Sequence, residues 1–148
     1  MSFANASPVP RHPLTDETKP AEVIQSDGYW PNVDPSIARI VTRLNGTVTN
    51  ERLTEALQNA IQHVDAELAD WRAKQTADLT AKQQGLYLRA VYFSAKADLT
   101  ERYRDFDTTA DGERRVEDLA DAIDSARRNV RWAVHDLLER PRVVVEAL

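Results

Sequence analysis

Cysteine is absent from this 148-residue chain, which excludes a disulfide framework, a thiolate nucleophile and a zinc finger. Glycine is scarce, with four residues. No Gly-x-Gly-x-x-Gly, Gly-x-x-x-x-Gly-Lys-Ser/Thr or Gly-x-Ser-x-Gly pattern occurs, so a phosphate cradle and a nucleophile elbow have no support. Long apolar runs are missing: none approaches the roughly 18 residues of a membrane span. The N-terminus, MSFANASPVPRHP, lacks the apolar core of a secretory signal, so a soluble chain in a cytoplasm is expected. Positive charge is in deficit, 19 Lys and Arg against 24 Asp and Glu, giving a net charge of -5 and a pI near 5.2. A dedicated DNA-binding module is usually basic, so that class is disfavoured. The three histidines, His12, His63 and His135, have no zinc-binding spacing between any two of them.

What is abundant is Ala, Leu, Glu, Arg and Asp, and the expected class is all-α. The length fits one domain with appended arms. A domain of this size buries about 68–70% of its unfolded surface, so a metal is not needed for stability.

The chain is organised around Leu86 to Phe106, LYLRAVYFSAKADLTERYRDF. Leu86, Tyr87, Leu88, Val91, Tyr92 and Phe93 cover most of a helix's circumference, which marks a helix enclosed by others. Further on, Leu99, Tyr103 and Phe106 continue one stripe among Lys96, Asp98, Glu101, Arg102, Arg104 and Asp105. Asp98–Arg102 and Glu101–Arg104 are spacings that pair on a helix surface, each worth roughly 0.2–0.5 kcal/mol. The first half is expected to be buried and the second to reach a charged surface or an interface.

Residues 1–33 hold five of the seven prolines and no helical period, which predicts an extended N-terminal arm. It ends in Tyr29-Trp30-Pro31, two large aromatics expected to dock on the chain's own bundle or on a neighbouring subunit. The bundle is expected over 34–140. Asp34-Pro35 opens a short helix as N-cap and first helical position, with Ile37, Ile40, Val41 and Leu44 as its apolar face. Asn45-Gly46 stops it, Gly taking the left-handed position. Thr49 caps a second helix from Asn50 to about Lys74, with Glu51 near its positive end. Its seam, Leu53, Leu57, Ile61, Val64, Leu68 and Trp71, is nearly a heptad, and the helix spans roughly 37 Å at ~1.5 Å per residue.

Lys74 to Gly85 reads as a connector anchored by Leu79, although its Ala and Gln content allows some helix. After the central helix, Asp107 to Ala110 makes a reversal, and Thr109 caps the last helix. In that helix Val116, Leu119, Ile123, Ala126, Val130, Ala133 and Leu137 alternate steps of three and four, widened by Trp132, Val134 and Leu138. It is expected to stop at Arg140, because Pro141 cannot continue it. The tail, PRVVVEAL over 141–148, favours extended structure but has no strand to pair with. It either folds back or adds to a partner's sheet or groove. The expected core comprises Leu57, Ile61, Val64, Leu68, Leu88, Val91, Tyr92, Leu99, Leu119, Ile123, Val130 and Leu137.

Carboxylates such as Asp118 and Asp121 read as a solvated helix face. Arg127, Arg128 and Arg131 form a basic cluster that is solvated, ion-paired, or turned to nucleic acid or an acidic partner. No catalytic, cofactor-binding or metal-binding residue emerges, and neither an enzyme nor a cofactor is expected.

One run of residues carries a resemblance. Tyr87-Leu88-Arg89-Ala90-Val91-Tyr92, then Ala95-Lys96-Ala97-Asp98-Leu99 and Thr100-Glu101-Arg102-Tyr103-Arg104-Asp105-Phe106-Asp107, resembles the core of the capsid completion proteins of P2-like tailed bacteriophages. The Thr109-x-x-Gly112-Glu113 turn and Arg128-x-x-Arg131-Trp132-Ala133 also fit. So do Trp30-Pro31 and Gly46-Thr47-Val48-Thr49. The likeness spans about residues 29–139 and is strongest over 87–113. It departs in a short connector before the central helix, and residues 1–28 and the valine tail lie outside it.

The resemblance implies a head–tail adaptor of a virion, assembled in the bacterial host's cytoplasm. Such a protein forms a ring, of twelve copies by analogy with dodecameric portals, below the portal protein. The ring completes the DNA-filled head for attachment of a tail terminator or neck protein, with packaged DNA passing through the lumen. On that reading Val143, Val144, Val145 and Leu148 are expected at the portal, and Tyr29, Trp30, Arg102 and Arg104 between subunits. The competing readings are a nucleic-acid-binding helical packaging protein of the small-terminase kind and a cellular helical-bundle interaction domain.

Overall fold

The computed structural model describes residues 20–106 and 112–140, with side chains over 20–103 and 117–140. It is all-α: α1 Pro35–Val41, α2 Asn50–Ala73, α3 Ala81–Phe106 and α4 Gly112–Leu137. The α3 helix packs along both α2 and α4, most extensively along α4, and α1 packs on α2. Among the described residues α2 and α4 do not run along each other, so α3 is the central element that its apolar circumference predicts. Tyr87, Ala90, Val91, Tyr92 and Ala95 are buried in its first half, while Tyr103 near its end is 51% exposed.

Two helix starts follow from their caps. Asp34 accepts from the Ser36 amide at 2.9 Å with Pro35 behind it, and Thr49 accepts from the Arg52 amide at 3.3 Å. The start of α3 corrects the expected connector. Thr80 and Gln83 form a reciprocal capping box, with Thr80 N–H donating to Gln83 at 2.9 Å and Gln83 N–H donating to Thr80 at 3.2 Å. The helix therefore begins at Ala81, and Gly85 lies inside it. A Thr-x-x-Gln spacing is the sequence signature of such a start.

Two helix ends also differ from expectation. The left-handed residue after α1 is Arg43, at φ 53, and not Gly46. Arg43 N–H reaches the Ile40 carbonyl and Leu44 N–H the Arg39 carbonyl, at 3.2 and 3.1 Å, a Schellman closure. The same closure ends α4 at Leu137 rather than Arg140. Glu139, at φ 55, donates to the Asp136 carbonyl, and Arg140 donates to the His135 carbonyl. The capping role given to Thr109, the 107–110 reversal and the tail 141–148 lie outside the described residues.

The N-terminal arm is folded from Ile24 onward. Ile24 and Val33 exchange backbone hydrogen bonds at 2.8 and 2.9 Å, closing a loop. Inside it Asp27 accepts from the Tyr29 and Trp30 amides at 3.0 and 3.3 Å, Ser26 Oγ donates to the Trp30 carbonyl, and Gly28 takes φ +95. These local bonds turn the loop so that Trp30, 5% exposed, enters the core.

Leu57, Val64, Leu68, Val91, Tyr92, Ile123 and Leu137 are buried. Ile61, Leu88, Leu99 and Val130 pack on the core half-buried, and Leu119 is half-buried on α4. Tyr87, not its neighbour Leu88, is fully enclosed.

Candidate interaction surface

The assignment of the Tyr29–Trp30 pair to a neighbouring subunit is corrected for Trp30. Its indole stacks on Tyr87 at 4.5 Å between ring centroids and 8° between planes, and on Trp71 at 6.2 Å and 25°. Tyr29 meets Trp30 edge-on at 5.0 Å and carries the Arg72 guanidinium 3.5 Å above its own ring. The pair plugs its own chain because burying two large aromatic surfaces locally outweighs leaving them for an encounter.

Beneath the plug, Tyr87 donates its hydroxyl to Asp65 at 2.7 Å. A cleft of about 340 Å³ lies beside them, between the loop and α2, with Asp27, Gln58 and Gln62 on its walls. Burial pushes the Asp65 carboxyl above its ordinary value of 3.8; the Tyr87 hydrogen bond acts against this and the Asp27 charge adds to it. Burial, with Asp65 beside it, also raises the Tyr87 phenol, so that hydroxyl remains a donor. A raised carboxyl means the folded chain holds its proton more tightly than the unfolded one. The stabilisation is then full below the unfolded value and is lost as pH climbs through the folded one. Asp65→Asn keeps an acceptor for Tyr87 without the charge. It is expected to remove this acid-side component from urea-unfolding midpoints measured between pH 3 and 7, with the variant gaining relative to the parent toward neutral pH.

Of the face expected for α1, Leu44 packs half-buried against the core, but the three residues within the helix turn outward. Pro35, Ala38 and Thr42 are buried, whereas Ile37, Ile40 and Val41 are 49%, 76% and 46% exposed. The cause is a set of polar anchors behind the helix. Arg39 spans the following loop, donating to the Asn45 carbonyl at 3.1 Å, the Val48 carbonyl at 2.9 Å and Asn50 at 3.0 Å. Lys96 of α3 donates to the Thr42 carbonyl at 2.7 Å, and the Thr42 hydroxyl donates to the Ala38 carbonyl at 2.7 Å. The Val48 and Thr42 carbonyls gain in this way a donor that the end of α1 and its loop do not supply, and the Asn45 and Ala38 carbonyls gain a second one beside the Val48 and Thr42 amides. These anchors hold the apolar stripe outward on a rigid support. Spacing alone found the stripe, but nothing in a 3.6-residue period says which side of a short helix meets the core.

The charged end of α3 is used inside the chain. Arg102 pairs with Glu55 of α2 at 4.0 Å and with Asp98 at 3.4 Å. The second pair is the expected one, although it is too poorly aligned to serve Asp98 Oδ2 as a hydrogen bond. Glu101 takes Arg127 of α4 at 2.6 Å, joining α3 and α4. Arg89 donates to Asn129 across the same pair of helices. Half-exposed Arg102 thus ties α3 to α2, and the Arg104 side chain and Val143, Val144, Val145 and Leu148 lie outside the described side chains.

In the basic cluster, Arg128 lies 5.2 Å over the Trp132 ring. His63 lines a cleft with Asp98, Arg102 and Arg127, and His135 a separate one with Glu67, Asp70 and Trp71. No group of three His, Asp or Glu among the described residues is placed to hold a metal ion, and no described helix is long and apolar enough to cross a membrane. The feature that stands out is an exposed aliphatic face on a firmly held helix.

The family profile described as "Phage head completion protein (GPL)" matches residues 24–148. The match begins at the residue that closes the Trp30 loop and extends through the valine tail, further at both ends than the likeness over 29–139. The chain is also 31% identical over 140 residues to the "Head completion/stabilization protein" of Escherichia phage P2, covering 85% of this chain and 83% of that one. No solved structure matches.

Proposed function

Because the chain belongs to the phage head completion protein family, we propose that it is the subunit of a ring seated below the portal of a tailed phage. There it stabilises the DNA-filled head and offers the site to which the tail attaches. The family's role is structural, and it makes the chain a virion component. The observation that carries the finer reading is the outward stripe of Ile37, Ile40 and Val41. Exposed aliphatics on a helix fixed from behind mark a surface meant to be covered by another molecule.

A ring of repeated head-to-tail contacts supplies such cover on every subunit. The partners on this reading are further copies of the chain, twelve by analogy with the portal, together with the portal itself and a tail terminator or neck protein. Packaged DNA passes through the lumen. The tail residues Val143, Val144, Val145 and Leu148 are proposed to reach the portal, as an extended apolar segment added to a partner's groove or sheet edge.

The test uses DNA-filled heads produced without this protein. Adding the full chain is expected to make the packaged DNA resistant to nuclease and the heads competent for tails. Deleting residues 142–148 is expected to leave a helical, soluble protein that no longer confers that resistance. Equal protection by the truncated and full chains removes the portal role of the tail. Absence of protection by the full chain removes the proposed function.

A further inference from the structure

The α1 stripe is flanked by a feature the fold itself does not require. Arg43 closes α1 with a left-handed backbone at φ 53, where glycine is at ease and a side chain costs on the order of 1 kcal/mol. An arginine there puts an exposed cation two and three residues after Val41 and Ile40 in the chain. Beyond α3, the first half of the outer face of α4 carries the opposite charge, and the exposed Arg127, Arg128 and Arg131 follow in its second half. Glu117, Asp118, Asp121 and Asp124 are all exposed and fall on one side by their spacing of three and four. The helix dipole favours carboxylates only in the first turn. These begin at the sixth position of a helix that starts at Gly112, so the dipole does not account for them. The stripe belongs to the α1–α2 flank and the carboxylates to the α4 flank, with α3 between. Two different complementary faces on one chain are what a head-to-tail contact needs.

We propose that Ile37, Ile40, Val41 and Arg43 of one copy dock on the outer face of α4 of a second copy, with Arg43 directed at Asp121 and its neighbouring carboxylates. This rests on the ring reading above and names the surfaces that make the ring. Three aliphatic side chains and a charged rim amount to much less than the ~800 Å² per partner of a standard stable interface. One such contact is therefore weak. It holds when the subunits are gathered on a head and each contact is repeated around a closed ring, where the last is made at high effective concentration.

The experiment places a photo-cross-linking amino acid at position 40 of the full chain and mixes isotope-labelled with unlabelled copies, both on filled heads and in concentrated solution. The expected product joins position 40 to a peptide within residues 117–131 of the other label. Arg43→Asp and Asp121→Arg are each expected to weaken self-association at least tenfold while leaving helix content unchanged, and the two together are expected to restore it. A cross-link to residues 1–19, to the same copy, or to a different virion protein overturns the assignment. So does failure of the paired charge reversal to rescue. If wild-type chain does not protect heads, the head-completion reading falls, and the solution cross-link still decides this contact.

Discussion

Trp30→Ala is expected to lower the unfolding free energy by about 3–5 kcal/mol, the range for truncating a large buried aromatic. The indole is 5% exposed and faces Tyr87 and Trp71 on parallel or near-parallel planes. Such ring pairs add roughly 0.5–1.5 kcal/mol beyond the area they bury. Its loss also unties the loop. The Ile24–Val33 bridge and the bonds of Ser26 and Asp27 are made within the loop itself, so the indole, with the Arg72–Tyr29 contact, holds it to the helices. The measurement is urea unfolding of the isolated chain followed by circular dichroism. A variant within 1 kcal/mol of the parent would show that Trp30 does not plug the fold. A tryptophan used only between copies would leave the isolated chain's unfolding unaltered, so the result also separates the two places the sequence leaves open for it.

That ambiguity shows where sequence reasoning succeeds on this chain and where it stops. Long seams were legible: Leu57, Val64 and Leu68 on α2 and Ile123 and Leu137 on α4 are buried where a three-four rhythm puts them, because a long helix has one way to turn its stripe inward. The central place of α3 was legible from apolar residues all around it. The short elements were not. Nothing in residues 24–33 has a period, and their fold depends on side chains capping their own backbone. The Asp27-Gly28-Tyr29 turn was the available signal. At α3 the Thr80-x-x-Gln83 spacing signals the start, while Gly85 argues against helix at a cost of about 1 kcal/mol that a capping box and 26 residues of packed helix offset.

The α1 face was misread for a reason that bears on function. In a helix of seven residues the polar anchors exceed the apolar contacts. Arg39 and Lys96 are long side chains whose targets, carbonyls six and nine residues ahead in the loop or 54 residues away in the chain, cannot be inferred from local spacing. The residues that look most like core are therefore the ones left outside. The candidate surface is legible in the sequence as hydrophobicity and becomes an interface only once the anchors are seen.

Ala133→Leu tests how far the proposed surfaces depend on the pairing of α3 with α4. Ala133 is 0% exposed, Ala126 is 2%, and Ala90, Ala95 and Ala97 on α3 are each 1%. Small side chains on both helices let the two backbones approach, which is why this is the most extensive pairing in the fold. Three added carbons have no void to enter, and overpacking of this kind costs about 1–3 kcal/mol. Ala66→Leu, on the exposed side of α2, is the control and is expected within about 0.5 kcal/mol of the parent. Thermal unfolding of the two variants checks the difference. The stronger expectation concerns assembly. Pushing α4 away from α3 shifts the carboxylate face relative to α1, and a closed ring accumulates any change in the angle between its two faces at every subunit. Ala133→Leu at a temperature where it remains fully folded is therefore expected to protect filled heads far less than its modest loss of stability suggests. Full protection by a folded Ala133→Leu chain would mean that the α1 and α4 faces do not meet around a ring.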